Sequence, residues 1–590
     1  MAKGKIDSAP QASRPTEGFD KLVTATVPMI RDLTPGPPDP QDFTEILARL
    51  AAAEGAVPPV YEDAVRFPFE AFVHNLGPDG FAALLSQDPD RRGIARCFFD
   101  VLHAILQNAE GYELQGTGAF QETVSDLYDG FLGAEDRRGV APPDRAVVAP
   151  LVKWGEPAFG PYTWPVEVTA HFGVGCTIVS LPPAYARRGV LAWSTLGHET
   201  GGHDILGADT GLISEVAGAI ETALAGPGTP THATRHKPVI VDAWLNWANE
   251  TASDVLGVLN MGFAAALGVL GYLRAASEAY GAAGGRTTGD LVIEGSAAAP
   301  HPIDALRAYV AAQTLRHCLY SGAKEDADFV DRLADQSLKG RTLSVDGCPW
   351  SVDEARKSAQ EVADAIARTR FDALERHALA SIQNWRDRDE RIVTRIMALL
   401  KDGEIDDAGA AGLNREAFGT HAVAAAVLHA VGTGEDAPAF AGMRSILAAM
   451  HQANPVWGPL PIAVRGDIAP HPLIPGAALL HKDSGWLVRG PFGKAVIRPA
   501  MAAPPTLPWR RPYGDEGPWG HGGLKGGRWE YGAPRGGRWE SGGLKGGPWE
   551  YGAPRGGRWE SGGLKGGRWE YGAPRGGRWE SGGLKGGRYD

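Results

Sequence analysis

The chain has 590 residues, 43% hydrophobic and 22% charged, with a net charge of −12 at pH 7. This is globular composition at a length for two to four domains of about 150 residues each, so most of the chain can bury cores. Cys97, Cys176, Cys318 and Cys348 stand far apart without CxxC spacing, which excludes a disulfide framework or a cysteine zinc ribbon and points to a reducing compartment.

Residues 1–38 are polar and Pro-rich and read as a disordered leader. Met1 to Phe19 is polar and contains no apolar run of about 7 to 15 residues that would mark a secretory signal, so the expected location is cytoplasmic. Asp39, Pro40 and Asp42 supply an N-cap, a proline at the first helical position and an acid in the first turn, predicting a helix that begins there. Residues 39–144 keep a helical period, as in Phe98, Val101, Leu102, Ile105 and Leu106, and predict a helical N-terminal lobe. In 145–280 the alternation of Val166, Val168 and Ala170 predicts a strand, and 176–181 predicts another, stopped by Pro182-Pro183. Residues 255–273 carry no charge, but four glycines and an asparagine within them favour a buried helix pair over a membrane span. Residues 281–455 predict a helical C-terminal lobe with Gly-rich connectors at 281–289 and 341–351, and Ser351 with Glu354 forms a capping box. A β-rich terminal element is expected at 456–508.

Residues 509–590 are Trp/Gly-rich decapeptides, GGLKGGRWEY alternating with GAPRGGRWES, so that the true period is 20. Residues 521–590 hold 25 Gly and a net charge of +6, leaving −18 on the remainder. One apolar anchor per ten residues cannot offset backbone ordering of about 1–2 kcal/mol per residue, so the tail is expected to be disordered. Arg, Trp and Gly could stack on single-stranded bases, but a Glu after almost every Trp repels phosphate, and nucleic-acid binding is not expected.

The residues that carry chemistry are Leu196-Gly-His198-Glu199-Thr-Gly-Gly202-His203-Asp204. In an HExxH zinc helix two histidines lie one turn apart, with the intervening glutamate aimed at the water on the metal. Here His203 comes one residue late, about 140° away from His198 on a regular helix. A local bulge at Gly201-Gly202 would realign the two. The segment resembles the HExxGH motif of the dipeptidyl peptidase III family, and Asn249-Glu250-Thr-Ala-Ser253-Asp254 resembles the NExxSD segment of thermolysin-like peptidases; both belong to gluzincin-type zinc metallopeptidases. The resemblance covers about 60 residues. The helical periods and short strand runs give an α+β, mostly α-helical protein, and the resemblance implies zincin-like helices beside its small β-sheet. It makes His198, His203 and Glu250 the ligands of Zn²⁺, and Asp254 the carboxylate that orients a ligand histidine. Glu215 and Glu221 compete with Glu250 as third ligand, but neither has an acid four residues on.

Two neutral histidines and a carboxylate leave an open position for water, whose proton Glu199 would take during attack on a peptide carbonyl. His317 is the candidate for steadying the oxyanion, with Tyr320 and His301 in the same window, and His171 is a candidate cleft residue. The expected function is zinc-dependent peptide hydrolysis, with a peptide as partner and no membrane. One rival is a precursor whose enzyme domain processes its own C-terminal repeats, for which a flexible 70-residue tail reaching about 45 Å is long enough. The other is an interaction protein with a structural metal site. No phosphate loop, dinucleotide fingerprint or GxSxG elbow is present.

Overall fold

The computed structural model describes residues 16–452 except 86–91, 133–147, 226–236, 282–289, 339 and 403–416, together with short strands between 529 and 589. Residues 1–15 and the β-rich element expected at 456–508 lie outside the described residues. The first departure from expectation comes at once, because helix α1 (Thr16–Ile30) occupies much of the supposed leader. Phe19, Leu22, Val23, Val27 and Ile30 recur at helical spacing and are buried, so local apolar period outweighs the polar average of the segment. Its Gly18 is required by packing, since a Cβ there would lie 2.0 Å from the Val431 carbonyl oxygen.

Helix α2 (Phe43–Ala52) begins later than predicted: Asp42, not Asp39, accepts the Thr44 and Glu45 amides at 2.7 and 3.0 Å. Asp39 instead meets His103 Nε2 at 2.8 Å. Helices α3 (Phe67–Leu84), α4 (Arg92–Glu110) and α5 (Leu114–Leu132) complete the N-terminal helices. The stripe of Phe98, Val101, Leu102, Ile105 and Leu106 is buried as its period predicts. Phe69, Phe72, Phe98 and Phe172 form an aromatic nucleus of this smaller core.

Strands β1 (Leu151–Trp154), β2 (Tyr162–Trp164) and β3 (Ile178–Leu181) form a sheet in the order β1-β3-β2, with β1 parallel and β2 antiparallel to β3. The strand predicted from Val166, Val168 and Ala170 is instead a short helix, Val166–Thr169, followed by a 3₁₀ turn at Ala170–Phe172. Three alternating residues are too few to distinguish a strand from a helical turn. The sheet divides two cores: Leu151, Ile178, Tyr162 and Trp164 belong to the smaller, and Val152, Trp154, Val179 and Leu181 to the larger.

The larger core surrounds α7 (Ala248–Gly281), which follows α6 (Leu212–Ala225). Among the described residues α7 contains the one stretch long and apolar enough to cross a bilayer, and 89% of its apolar window is inside the protein. The expected pair of buried helices is present within it, as two helical segments that meet at a non-helical break at Gly262 (φ 59°, ψ −141°), where a Cβ would lie 2.5 Å from the Trp385 ring. Around it pack α8 (Asp304–Leu315), α9 (Ala323–Leu338), α10 (Val352–Arg368), α11 (Asp387–Asp402), α12 (Gly419–Thr433) and α13 (Asp436–Gln452), each contributing to this core. The capping box at Ser351 and Glu354 starts α10. The connector expected at 341–351 holds a hairpin, β5 (Leu343–Val345) and β6 (Cys348–Trp350), with Asp346 and Gly347 at positive φ. That Asp-Gly pair, flanked by Leu343, Val345 and Trp350, is a type I′ hairpin signal. Strand β4 (Glu294–Gly295) adds to β5 in parallel.

The architecture is therefore α+β and mostly helical, with small mixed sheets. In the tail the described residues are strands of two to four residues whose parallel register follows the 20-residue repeat, Trp529 with Trp549 with Trp569 and Trp539 with Trp559 with Trp579.

Candidate metal centre

The helix over 196–208 starts as α-helix at Leu196–His198, widens to a π-helical turn at Glu199–Asp204 and resumes as α-helix at Ile205–Ala208. A π turn bonds residue i to i+5, so residues five apart come onto one side. The His198 and His203 ring centroids accordingly stand 4.8 Å apart. The bulge expected at Gly201-Gly202 is thus present. Gly202 of this turn and Gly257 of α7 let the two helices approach: a Cβ on Gly202 would lie 2.4 Å from Ser253 Cα, and one on Gly257 would lie 3.1 Å from Gly197 C and His198 N. These contacts are with backbone, which cannot swing aside. Gly202→Ala is therefore expected to destabilise the fold by about 1–3 kcal/mol or more, measured as a lowered melting temperature.

α7 brings Glu250 and Asp254 to the two histidines. His198 Nε2 lies 3.1 Å from Glu250 Oε2, His203 Nε2 3.5 Å from the same oxygen, and His198 Nδ1 2.8 Å from Asp254 Oδ1. His203 Nδ1 is oriented by Asn249 Oδ1 at 3.1 Å and Ser253 Oγ at 3.2 Å. Thus all four polar residues of the NExxSD segment take part. Arg307 of α8 grips Asp254 with both arms, Nε to Oδ2 and Nη2 to Oδ1, each at 2.8 Å.

Burial opposes charge throughout this cluster, and the pairings decide the outcome. Burial works against a charged His198, but the Asp254 and Glu250 carboxylates more than offset it and raise the imidazole to about 10. Its two ring nitrogens both face carboxylates, Nδ1 toward Asp254 and Nε2 toward Glu250. For Asp254, burial is outweighed by Arg307 and His198, which hold it down to about 2. Glu250 is likewise held well below the usual carboxylate range, against its burial, by His301, His203 and His198. Asp254→Asn is expected to lower metal affinity about 10- to 100-fold without removing a ligand. Competition with a chelator of known affinity would measure this.

Glu199 is buried beside His198, His203 and Glu250 but does not join their cluster. The Thr163 hydroxyl of β2 donates to its Oε2 at 2.7 Å. The opposite face of β2 is pinned by buried Asp100, which accepts from Tyr162 Oη and Trp164 Nε1, both at 2.7 Å, and pairs with Lys153. Burial raises the Asp100 carboxyl, but Lys153 and Arg96 lower it further, so its folded pKa lies below the ordinary value. Its contribution to stability is therefore present above the unfolded value of about 3.9 and is lost as pH falls through the folded value. Asp100→Asn should melt well below the wild type at pH 7, where Lys153 is left buried without its partner, and the gap should narrow toward pH 3. Melting curves across that range would show it.

The structure does not bring His317 to this cluster: its Nε2 meets Asp364 Oδ1 of α10 at 2.5 Å, and the role expected of it is withdrawn. Sequence distance from Glu250 placed it in range, but the turn ending α8 directs it toward α10. Tyr320 donates to Asp326 at 2.7 Å. His171 lies buried in the 3₁₀ turn after Val166–Thr169. Glu215 accepts the Asp372 and Ala373 amides at 2.5 and 3.0 Å, and Glu221 is exposed on α6. Neither belongs to the cluster formed around Glu250. His301 does: its Nε2 is 3.2 Å from Glu250 Oε2. Arg307 and Thr163 have no motif around them and become visible only through their partners.

Among the described residues, His198, His203 and Glu250 could hold a metal ion, their donor atoms all lying within 4.8 Å of one another. The chemistry fits: bonds of about 2.0–2.1 Å to a tetrahedral ion place neighbouring ligand atoms about 3.3–3.4 Å apart, close to the 3.1 and 3.5 Å between the imidazoles and Glu250. No protein-family model, curated protein or solved structure matches the chain.

Proposed function

We propose that the protein is a zinc-dependent, metallopeptidase-like hydrolase acting on peptide bonds. The observation that carries this reading is the π turn, which sets two imidazoles beside Glu250 and leaves Glu199, on the same turn, available for proton transfer. Two histidines and one carboxylate are the ligand set of hydrolytic zinc sites that retain an exchangeable position.

His198, His203 and Glu250 would hold the ion, and Asp254, itself fixed by Arg307, keeps the His198 ring turned toward it. When bound, the ion supplies a Lewis acid that polarises a carbonyl and acidifies water. Thr163 occupies Glu199 Oε2, which leaves Oε1 to take a proton from the attacking water. As the water oxygen bonds to the carbonyl carbon and the carbon–nitrogen bond breaks, Glu199 returns that proton to the departing amine. The C-terminal repeats are the substrate proposed in cis, since they carry regularly spaced units and a charge opposite to the remainder. The test is metal analysis of the purified protein joined to a peptide-hydrolysis assay. About one zinc per chain and chelator-sensitive cleavage support the reading, whereas absence of bound zinc ends it.

A further inference from the structure

Glu250 Oε2 is approached by three imidazole nitrogens: His198 Nε2 at 3.1 Å, His301 Nε2 at 3.2 Å and His203 Nε2 at 3.5 Å. All three separations approximate the edge of a tetrahedron, about 3.3–3.4 Å, that follows from zinc–ligand bonds of about 2.0–2.1 Å. Two of these nitrogens belong to the ligand set described above; the third comes from a different part of the chain.

The segment that delivers His301 is built into the fold. Upstream, β4 pairs with β5, and the Ser344 amide donates to the Ile293 carbonyl at 3.0 Å. Trp247, immediately before α7, donates its indole N–H to the Ala299 carbonyl at 3.1 Å, tying the segment to the helix that carries Glu250. Downstream, Ile303 is buried at the start of α8, and Asp304 accepts the Val292 amide at 3.1 Å. His301 is thus held against Glu250 from both sides.

Its ring is secured less firmly than those of the other two histidines. His198 Nδ1 is fixed by Asp254, and His203 Nδ1 by Asn249 and Ser253, whereas His301 Nδ1 has no hydrogen-bond partner among the described residues. Its side chain is 30% exposed, against 6% for His198 and 15% for His203. It also lies outside the three-residue group whose donor atoms are mutually within 4.8 Å, so its ring must move toward the other imidazoles to share an ion with them. Hydrogen bonds to the second ring nitrogen are what fix a ligand histidine, and a histidine without one exchanges more readily.

We infer that His301 is a fourth, exchangeable protein ligand, so that the resting centre is His₃Glu and latent until water or substrate displaces the His301 imidazole. This rests on the proposed zinc site and adds the regulation of that site. A structural zinc would also have four protein ligands, but His301 differs in its exposure and its free ring nitrogen.

The test uses full-length protein loaded with one equivalent of zinc or cobalt(II). X-ray absorption at the zinc edge should count three imidazoles in the wild type and two in His301→Ala, with metal stoichiometry unchanged. Azide added to the cobalt protein competes with His301 in the wild type, so its dissociation constant should fall about tenfold or more in His301→Ala and remain low in His301→Asn, read from the visible absorption bands. Two imidazoles in the wild type, or equal azide affinity in wild type and variants, would overturn the proposal while leaving the zinc site intact. Failure of the wild type to bind zinc would instead remove the site itself, and the two failures are distinguishable because the wild-type measurement needs no variant.

Discussion

His203→Ala is expected to abolish stoichiometric metal binding while the chain remains folded. His203 Nε2 faces Glu250 Oε2 from one side of the pocket as His198 does from another, and it is half-buried at the end of the π turn, where an alanine is accommodated without strain. Loss of a direct ligand should cost more affinity than the roughly 10- to 100-fold expected for Asp254→Asn, in which only an orienting carboxylate is altered. Inductively coupled plasma analysis after dialysis would read the zinc content, and circular dichroism would report the fold. Wild-type zinc content in His203→Ala would mean that the ion sits elsewhere.

Glu199→Gln is expected to keep zinc and fold while losing about 10²- to 10⁴-fold in hydrolysis, the range that a general base supplies. The amide retains the shape and the hydrogen bond from Thr163 but cannot accept a proton from water. Intact-mass spectrometry of wild type and Glu199→Gln after incubation with zinc adds a second readout. If the repeats are cleaved in cis, the wild type alone should lose mass in steps of ten or twenty residues. Equal tail masses would leave the repeats outside the reaction, and undiminished activity on added peptide would remove Glu199 as the base.

The His/Glu cluster was legible because the residues that form it are short-range in sequence. His198, Glu199 and His203 fall within six residues, and Asn249, Glu250, Ser253 and Asp254 within another six. The spacing also announced its own distortion, since a separation of five positions between histidines that share one helix face requires a bulge and Gly201-Gly202 marks the place. The errors arose where a segment average stood in for a pattern. The proline-rich leader conceals α1, whose apolar stripe is only 15 residues long. The reading of 341–351 as a connector passed over the Asp346-Gly347 hairpin.

Composition and motif spacing by themselves determined the mostly helical α+β class, the HExxGH and NExxSD segments and the position of the helix irregularity, because each depends on residues that are neighbours along the chain. The tertiary structure alone decided which distant groups join them: Thr163 on β2, Arg307 on α8 and His301 before α8, rather than His317 after it. His301 and His317 are separated by α8 and lie at similar sequence distances from Glu250, so separation along the chain cannot distinguish them. What distinguishes them is that Trp247 and β4 hold the start of α8 against α7, whereas the residues after its end turn toward α10.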